Sequence, residues 1–223
     1  MGGRGASSKS SKNQGDFMDW GHGGSGGNDL DWDKNHPALI SPDALKNALG
    51  DQKSSISPIE SAKGANPYYS SAYREYSENC QRCVVAYELR RRGYNVIAQP
   101  THQNDLLPTG DKWRGAFQHG KTEKVSGLNA WQLRQNVAKT MQSYGDGARA
   151  VVSFAWAKGH FGHVINVENI KGKIHYFESQ VGGEYNPNRV LSGVRHGSVK
   201  IMRTDSLRIS DRAKKSVWTI GES

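Results

Sequence analysis

The sequence predicts an α+β domain in which a helix packs on a mainly antiparallel sheet. Three features lead there. Apolar residues recur with a helical period over Asn79–Arg92 and again over Leu128–Tyr144. Beyond Gly145-Asp146-Gly147 the period drops to two in four successive runs. No internal repeat interrupts this order of helices followed by strands.

Ahead of that unit, nine of the 26 glycines fall within residues 1–30, a stretch that also holds Ser7-Ser8-Lys9-Ser10-Ser11-Lys12 and no periodic apolar pattern. Such a stretch buries too little apolar surface to offset the entropy of ordering it. Residues 1–65 are therefore expected to be a disordered Gly/Ser-rich tail, with a short helix around Ser41-Pro42-Asp43-Ala44-Leu45-Lys46 as the exception. The folded unit is expected over residues 66–223, long enough for one sizeable core.

Taken in order, Asn66-Pro67 opens a segment with Tyr68, Tyr69, Tyr73 and Tyr76, which reads as irregular chain packing rings at the edge of the core. The first helix follows, with Asn79 as the expected N-cap and Gly93 just past its end. Arg90-Arg91-Arg92 closes it, where cations complement the helix dipole, and is expected to be a solvated face. Tyr94–Ala98 reads as a short strand, and the polar residues 101–127 as a long loop or insertion. Trp131, Leu133, Val137 and Met141 mark the second helix. Strands are expected over Ala148–Trp156, His163–Glu168, Lys173–Phe177 and Ser198–Arg203.

Charge divides the chain at the same place. Residues 1–65 carry 7 basic and 8 acidic residues, and the remainder 23 against 13. A surface with that excess suits acidic proteins, nucleic acid or lipid headgroups, and singles out none of them. No run approaches the roughly 18 apolar residues of a membrane span, and the N-terminus lacks the apolar stretch of a secretory signal. With only 2 cysteines, a disulfide scaffold is excluded and a reducing cytosol is the simplest expected location.

Both cysteines open the first helix, as Asn79-Cys80-Gln81-Arg82-Cys83. A thiol at a helix start faces unpaired N–H groups and the positive end of the dipole, which favour the thiolate a nucleophile needs. A buried structural cysteine, a redox Cys-x-x-Cys pair and half of a zinc site remain as alternatives. A thioredoxin-type pair follows a strand, whereas Tyr-rich chain precedes this one. Zinc needs four ligands, and only His160-Phe161-Gly162-His163 adds any near the right spacing. No metal is expected. No Gly-rich phosphate loop occurs between a strand and a helix, so no nucleotide cofactor is expected either. His102, His119, His160 and His175 read as surface or loop residues.

His163 stands out from the other histidines. Asn169-Ile170-Lys171-Gly172 reads as a hairpin turn, and a turn symmetric about it sets Val167 opposite Ile174, Ile165 opposite Tyr176 and His163 opposite Glu178. The last pair puts an imidazole and a carboxylate on one face, with Cβ atoms ~4.5–5.5 Å apart. In that arrangement Glu178 fixes the ring while its other nitrogen serves a thiol. A structural His–Glu pair at a strand end is the alternative. Gln180, two residues on, shares the face as a second orienting or substrate-binding group.

Three segments together resemble a known family: Asn79-Cys80-Gln81-Arg82-Cys83-Val84-Val85-Ala86-Tyr87-Glu88-Leu89-Arg90-Arg91-Arg92-Gly93-Tyr94, then Gly162-His163-Val164-Ile165-Asn166-Val167, then Tyr176-Phe177-Glu178-Ser179-Gln180. They are similar to the papain-fold toxins, also called Tox-PL or glutamine-deamidase-like, in versions carried by phages and prophages and often attached to minor head proteins. The resemblance spans residues 66–218 and includes Asn66-Pro67-Tyr68 and Arg203-Thr204-Asp205. It implies a papain-like cysteine hydrolase fold, a Cys-His-Asp triad and glutamine deamidation on a protein substrate. Carried over, Cys80 is the nucleophile, His163 the base and Glu178 the third member, where the family usually has Asp. Ser179-Gln180 replaces the common Pro-Gln. The Asn79-Cys80 opening and its distance to Gly93-Tyr94 favour Cys80, whereas the second cysteine of papain's own Cys-x-x-Cys keeps Cys83 in view. A cytoplasmic or virion-associated protein, with a phage head or immunity protein as a further partner, is what the resemblance allows. The contrasting expectation is a virion-associated or nucleic-acid-binding protein that keeps the fold without the activity.

Overall fold

The computed structural model describes residues 41–101, 112–159 and 161–220. Two short helices come first, α1 (Pro42–Leu49) and α2 (Pro58–Ala65). Each starts with a serine cap followed by proline, whose fixed φ and missing N–H suit a first helical position. Ser41 Oγ accepts from the Ala44 N–H at 3.1 Å, and Ser57 Oγ from that of Glu60 at 3.4 Å.

These helices correct the expected boundary at residue 65. Leu49, Ala62 and Ala65 are buried in the main core, so the folded unit includes residues 41–65. A helix this short is unstable alone and forms by docking. The small side chains of α2 let it approach the next long helix closely, and a Cβ on Gly64 would lie 2.3 Å from the Arg90 guanidinium. The rest of the expected tail, residues 1–40, lies outside the described residues.

After the single turn α3 (Arg74–Ser77) comes α4 (Cys80–Arg91). Cys83 through Leu89 are all buried, so this helix is enclosed on every side rather than amphipathic. Its last carbonyls, which no helical N–H can reach, are taken by the N-terminal segment. Ile56 N–H donates to the Arg90 carbonyl, Ser55 Oγ to that of Arg91, Gln52 Nε2 to that of Arg92 and Lys53 N–H to that of Gly93. Gly93 has φ 94°, and a Cβ there would meet the Lys53 carbonyl at 2.0 Å. The expectation of a solvated Arg90–Arg92 face is also corrected. Arg91 pairs with Glu168 and Arg92 with Glu88, both at 2.7 Å, and Arg90 donates to the Val96 carbonyl.

The remaining elements in chain order are β1 (Val96–Ala98), a 3-10 turn at Lys112–Ala116, β2 (Glu123–Lys124), α5 (Ala130–Tyr144), β3 (Arg149–Ala155), β4 (Gly162–Ile170), β5 (Lys173–Glu178), β6 (Gly183–Tyr185), α6 (Pro187–Leu191), β7 (Lys200–Arg203), a 3-10 turn at Asp211–Lys215 and β8 (Val217–Thr219). Six strands form one sheet in the order β2-β7-β3-β4-β5-β6, and β1 pairs with β8 beside it. Every one of these pairings is antiparallel, as expected. Alternation sends Val151, Val164, Phe177 and Met202 toward α4. Val152, Ile165, Val167, Tyr176 and Ile201 go to the opposite core with Leu133, Val137 and Met141 of α5. Within the expected loop over 101–127, residues 102–111 lie outside the described residues, while Trp113 and Phe117 are buried.

The hairpin register differs from the expected one. Lys171 and Gly172, both at positive φ, form a two-residue turn of the type that matches strand twist. Val167 therefore pairs with Tyr176 and Asn169 with Ile174. The offset from expectation is two residues, which keeps every side chain on its face. Carried one step beyond Asn166–Phe177, the register sets Ile165 opposite Glu178 and leaves His163 on the diagonal. No helix among the described residues is long and apolar enough to cross a membrane.

Candidate active site

Helix α4 runs alongside β4 in the same direction. Asn166 Nδ2 donates to the Val84 carbonyl at 3.3 Å, and farther on Tyr87 and Arg91 both reach Glu168. Stepping back one turn from Val84 brings Cys80 beside His163, the second residue of β4. The sulfur is near enough to the ring to strengthen its hold on a proton. His163 Nε2 meets Glu178 Oε2 at 2.5 Å, which leaves Nδ1 for the sulfur. The three residues singled out in the sequence thus meet at one end of the sheet, with Glu178 reaching His163 along the diagonal.

Burial and charge act in opposite directions on His163. Its side chain is only 15% exposed, and burial alone pulls an imidazole toward neutrality. The Glu178 carboxylate and the Cys80 sulfur outweigh that, and His163 is pushed up to about 10. At neutral pH the ring therefore holds its second proton. Glu178 is itself fixed, because its Oε1 accepts the Gln180 main-chain N–H at 3.1 Å.

Cys83 has a different environment. It is fully buried, its Sγ donates to Asn79 Oδ1 at 3.1 Å, and desolvation pushes the thiol well up. Cys80 is partly exposed, and neither cysteine is in a disulfide. Asn79 stands at the N-cap position as expected, but its side chain accepts from no main-chain N–H of the first turn. Gln180 lies beside the site as a tie rather than an open binding group. Its Nε2 donates to the Ser77 carbonyl, its main-chain carbonyl accepts from Asn66, and its Oε1 is buried without a partner.

Two residues at the site escaped the sequence reading. Trp156 stacks on His163 with ring centroids 5.9 Å apart, and Phe154 meets the same ring edge-on at 5.8 Å. The alternation of β3 carried a signal, since Phe154 and Trp156 share a face and Phe154 is paired with His163. Elsewhere, His175 forms an exposed pair with Glu184 at 2.7 Å, and His119 is exposed. His102 and His160 lie outside the described residues. Among the described residues, no three His, Cys, Asp or Glu side chains gather in a way that could hold a metal ion.

A partly exposed cysteine on the first turn of a buried helix, set against a histidine of an antiparallel sheet, is the layout of a papain-like α+β fold. Residues 78–183 match the family model described as Papain fold toxin 1, glutamine deamidase. No curated protein matches the chain. The match supports a cysteine-type, deamidase-like activity.

Proposed function

We propose that the chain is a cysteine-dependent hydrolase of a protein carboxamide, with Cys80 as nucleophile, His163 as acid–base group and Glu178 as the carboxylate that orients and charges it. The observation that supports this reading is the 2.5 Å contact of His163 with the Glu178 carboxylate, close to the Cys80 sulfur. Cys80 sulfur, its proton held on His163, attacks the carboxamide carbon. The carbonyl oxygen becomes an oxyanion. His163 passes its proton to the amide nitrogen, ammonia leaves and a thioester remains. Water then gives a proton to His163 and its oxygen to the acyl carbon, and the thiolate departs.

The oxyanion needs preorganised donors. The Asn79 carbonyl takes the N–H groups of Arg82 and Cys83, so those of Cys80 and Gln81 are the ones left at the helix start. The glutamine side chain is the substrate group that the family match favours over a peptide bond. The positive excess beyond residue 65 suits an acidic protein surface.

The test is ammonia release from a panel of glutamine-containing proteins, with mass spectrometry locating each conversion of carboxamide to carboxylate. Wild-type protein should give both signals and Cys80→Ala neither, a loss of roughly 10⁴-fold or more by analogy with other triads. Turnover that survives Cys80→Ala would overturn the assignment.

A further inference from the structure

Asn79 occupies a position where asparagine is among the preferred capping side chains. Ser41, Ser57, Asn129, Asn186 and Ser210 stand at comparable positions, and each accepts from its own helix's first turn. Asn79 does not. Its backbone, at φ −105° and ψ 23°, is not extended, and its side chain turns inward.

Asn66, the residue that ends α2, holds it there. Asn66 Oδ1 accepts from Asn79 Nδ2 at 3.2 Å, and Asn66 Nδ2 approaches Asn79 Oδ1 at 3.2 Å. The two amide hydrogens of Asn66 have shorter bonds to the Tyr76 and Gln180 carbonyls, both 2.9 Å. The orientation of Asn66 is therefore set by two main-chain segments that do not depend on Asn79. One of them follows Glu178 directly, and the other leads into Cys80. Asn79 completes its bonding with the Gln99 carbonyl at 3.3 Å and the Cys83 thiol.

We propose that Asn66 is a positioning residue for the oxyanion site: by pairing with Asn79 it keeps that side chain off the first turn of α4 and leaves the Cys80 and Gln81 N–H groups open to substrate oxygen. Asn66 lies outside the segment that matches the family model. The inference rests on the reading of Cys80 as nucleophile. Without Asn66, Asn79 gains the freedom to cap its own helix at the Gln81 N–H and cover one of those two donors.

Two reagents separate the sulfur from the oxyanion site. Iodoacetamide alkylates a thiolate by direct displacement and needs no oxyanion donors, whereas p-nitrophenyl acetate acylates it through a tetrahedral oxyanion. Both rates are read at Cys80 by mass spectrometry. Asn66→Ala should slow acylation by about 10–100-fold and leave alkylation near the wild-type rate. In an Asn79→Ala background, with no side chain left to cap, Asn66→Ala should leave the acylation-to-alkylation ratio unchanged. Should Asn66→Ala fail to fold, Asn66→Asp keeps the volume but loses both amide hydrogens and sets a carboxylate against the Tyr76 and Gln180 carbonyls, so it should lower the acylation-to-alkylation ratio in the same direction. Equal loss of both rates in Asn66→Ala, no loss of acylation, or the same loss in the Asn79→Ala background overturns the proposal. A wild-type Cys80 whose reaction with both reagents is indifferent to His163→Ala would instead overturn the site itself, and this inference with it.

Discussion

On the side of its first turn that faces α2 and β5, α4 meets uncharged amides, those of Asn66, Asn79 and Gln180, joined to one another and to main-chain carbonyls. Its last turns meet charges instead. Glu88, with no exposed surface, takes Arg92 at 2.7 Å and Arg149 at 2.9 Å, and Glu168 takes Arg91 at 2.7 Å and the Tyr87 hydroxyl at 2.8 Å. The contrast separates two tasks within one helix. Charges locked in pairs fix where the helix lies on the sheet, because any slip strands a buried charge. Neutral amides tie down the catalytic end without adding a net charge there. The Glu178 carboxylate is then the charge against the ring that favours the His163 proton.

Removing the charge at the catalytic end is the strongest way to break this contrast. Glu178→Gln keeps the shape and takes away the carboxylate, so turnover should fall by roughly 10²–10⁴-fold. His163, held at about 10 in the wild type, should titrate lower, as histidine NMR would show. The linkage has a definite sign. A folded-state value raised above the unfolded one, about 6.5, stabilises the fold fully below that pH and ceases to do so as pH rises through the folded value. Denaturant melts of wild type and Glu178→Gln should therefore differ most at slightly acidic pH and converge near pH 10. An unmoved His163 titration would mean that burial, rather than the pair, governs the site.

The other end gives the converse experiment. Glu88→Gln leaves the Arg92 and Arg149 guanidinium groups, each only 17% exposed, without their shared carboxylate. Breaking a buried pair from one side costs about 3–5 kcal/mol. Chemical denaturation should register that loss, while iodoacetamide should still modify Cys80 at the wild-type rate in the folded protein. A change in Cys80 reactivity would show that the charged end also tunes the site, and the division of tasks would fail.

What the sequence revealed follows the range of the interactions. The start of α4, the alternation of β3 to β5 and the pairing of His163 with Glu178 are local patterns, readable within a turn or a hairpin. The register differs from the expected one because the positive φ angles fall at Lys171 and Gly172, one residue beyond a turn centred on Ile170 and Lys171. An even offset preserves the face, so the pair survives it. The docking of residues 41–65, the Asn66–Gln180 tie and the Glu88–Arg149 pair join positions far apart in the chain, where no periodicity carries a signal. Arg90-Arg91-Arg92 failed for the same reason, since their partners lie on other elements.

The two cysteines test the contrast within a single turn. Spaced three apart on a helix, they lean to the same side, and only their surroundings distinguish them. Cys83 is enclosed, and burial holds it as a neutral thiol, a poor nucleophile. Cys83→Ala removes one small buried atom and its bond to Asn79 Oδ1. That oxygen is left with the longer 3.2 Å approach of Asn66 Nδ2, whose hydrogens bond the Tyr76 and Gln180 carbonyls. The expected cost is about 1 kcal/mol in stability, with turnover within about threefold of wild type, a difference of less than ~1 kcal/mol in the barrier. Thermal melts and the ammonia assay measure the two separately. Loss of turnover in Cys83→Ala, with Cys80→Ala still active, would exchange the two roles and move the reacting sulfur into the core.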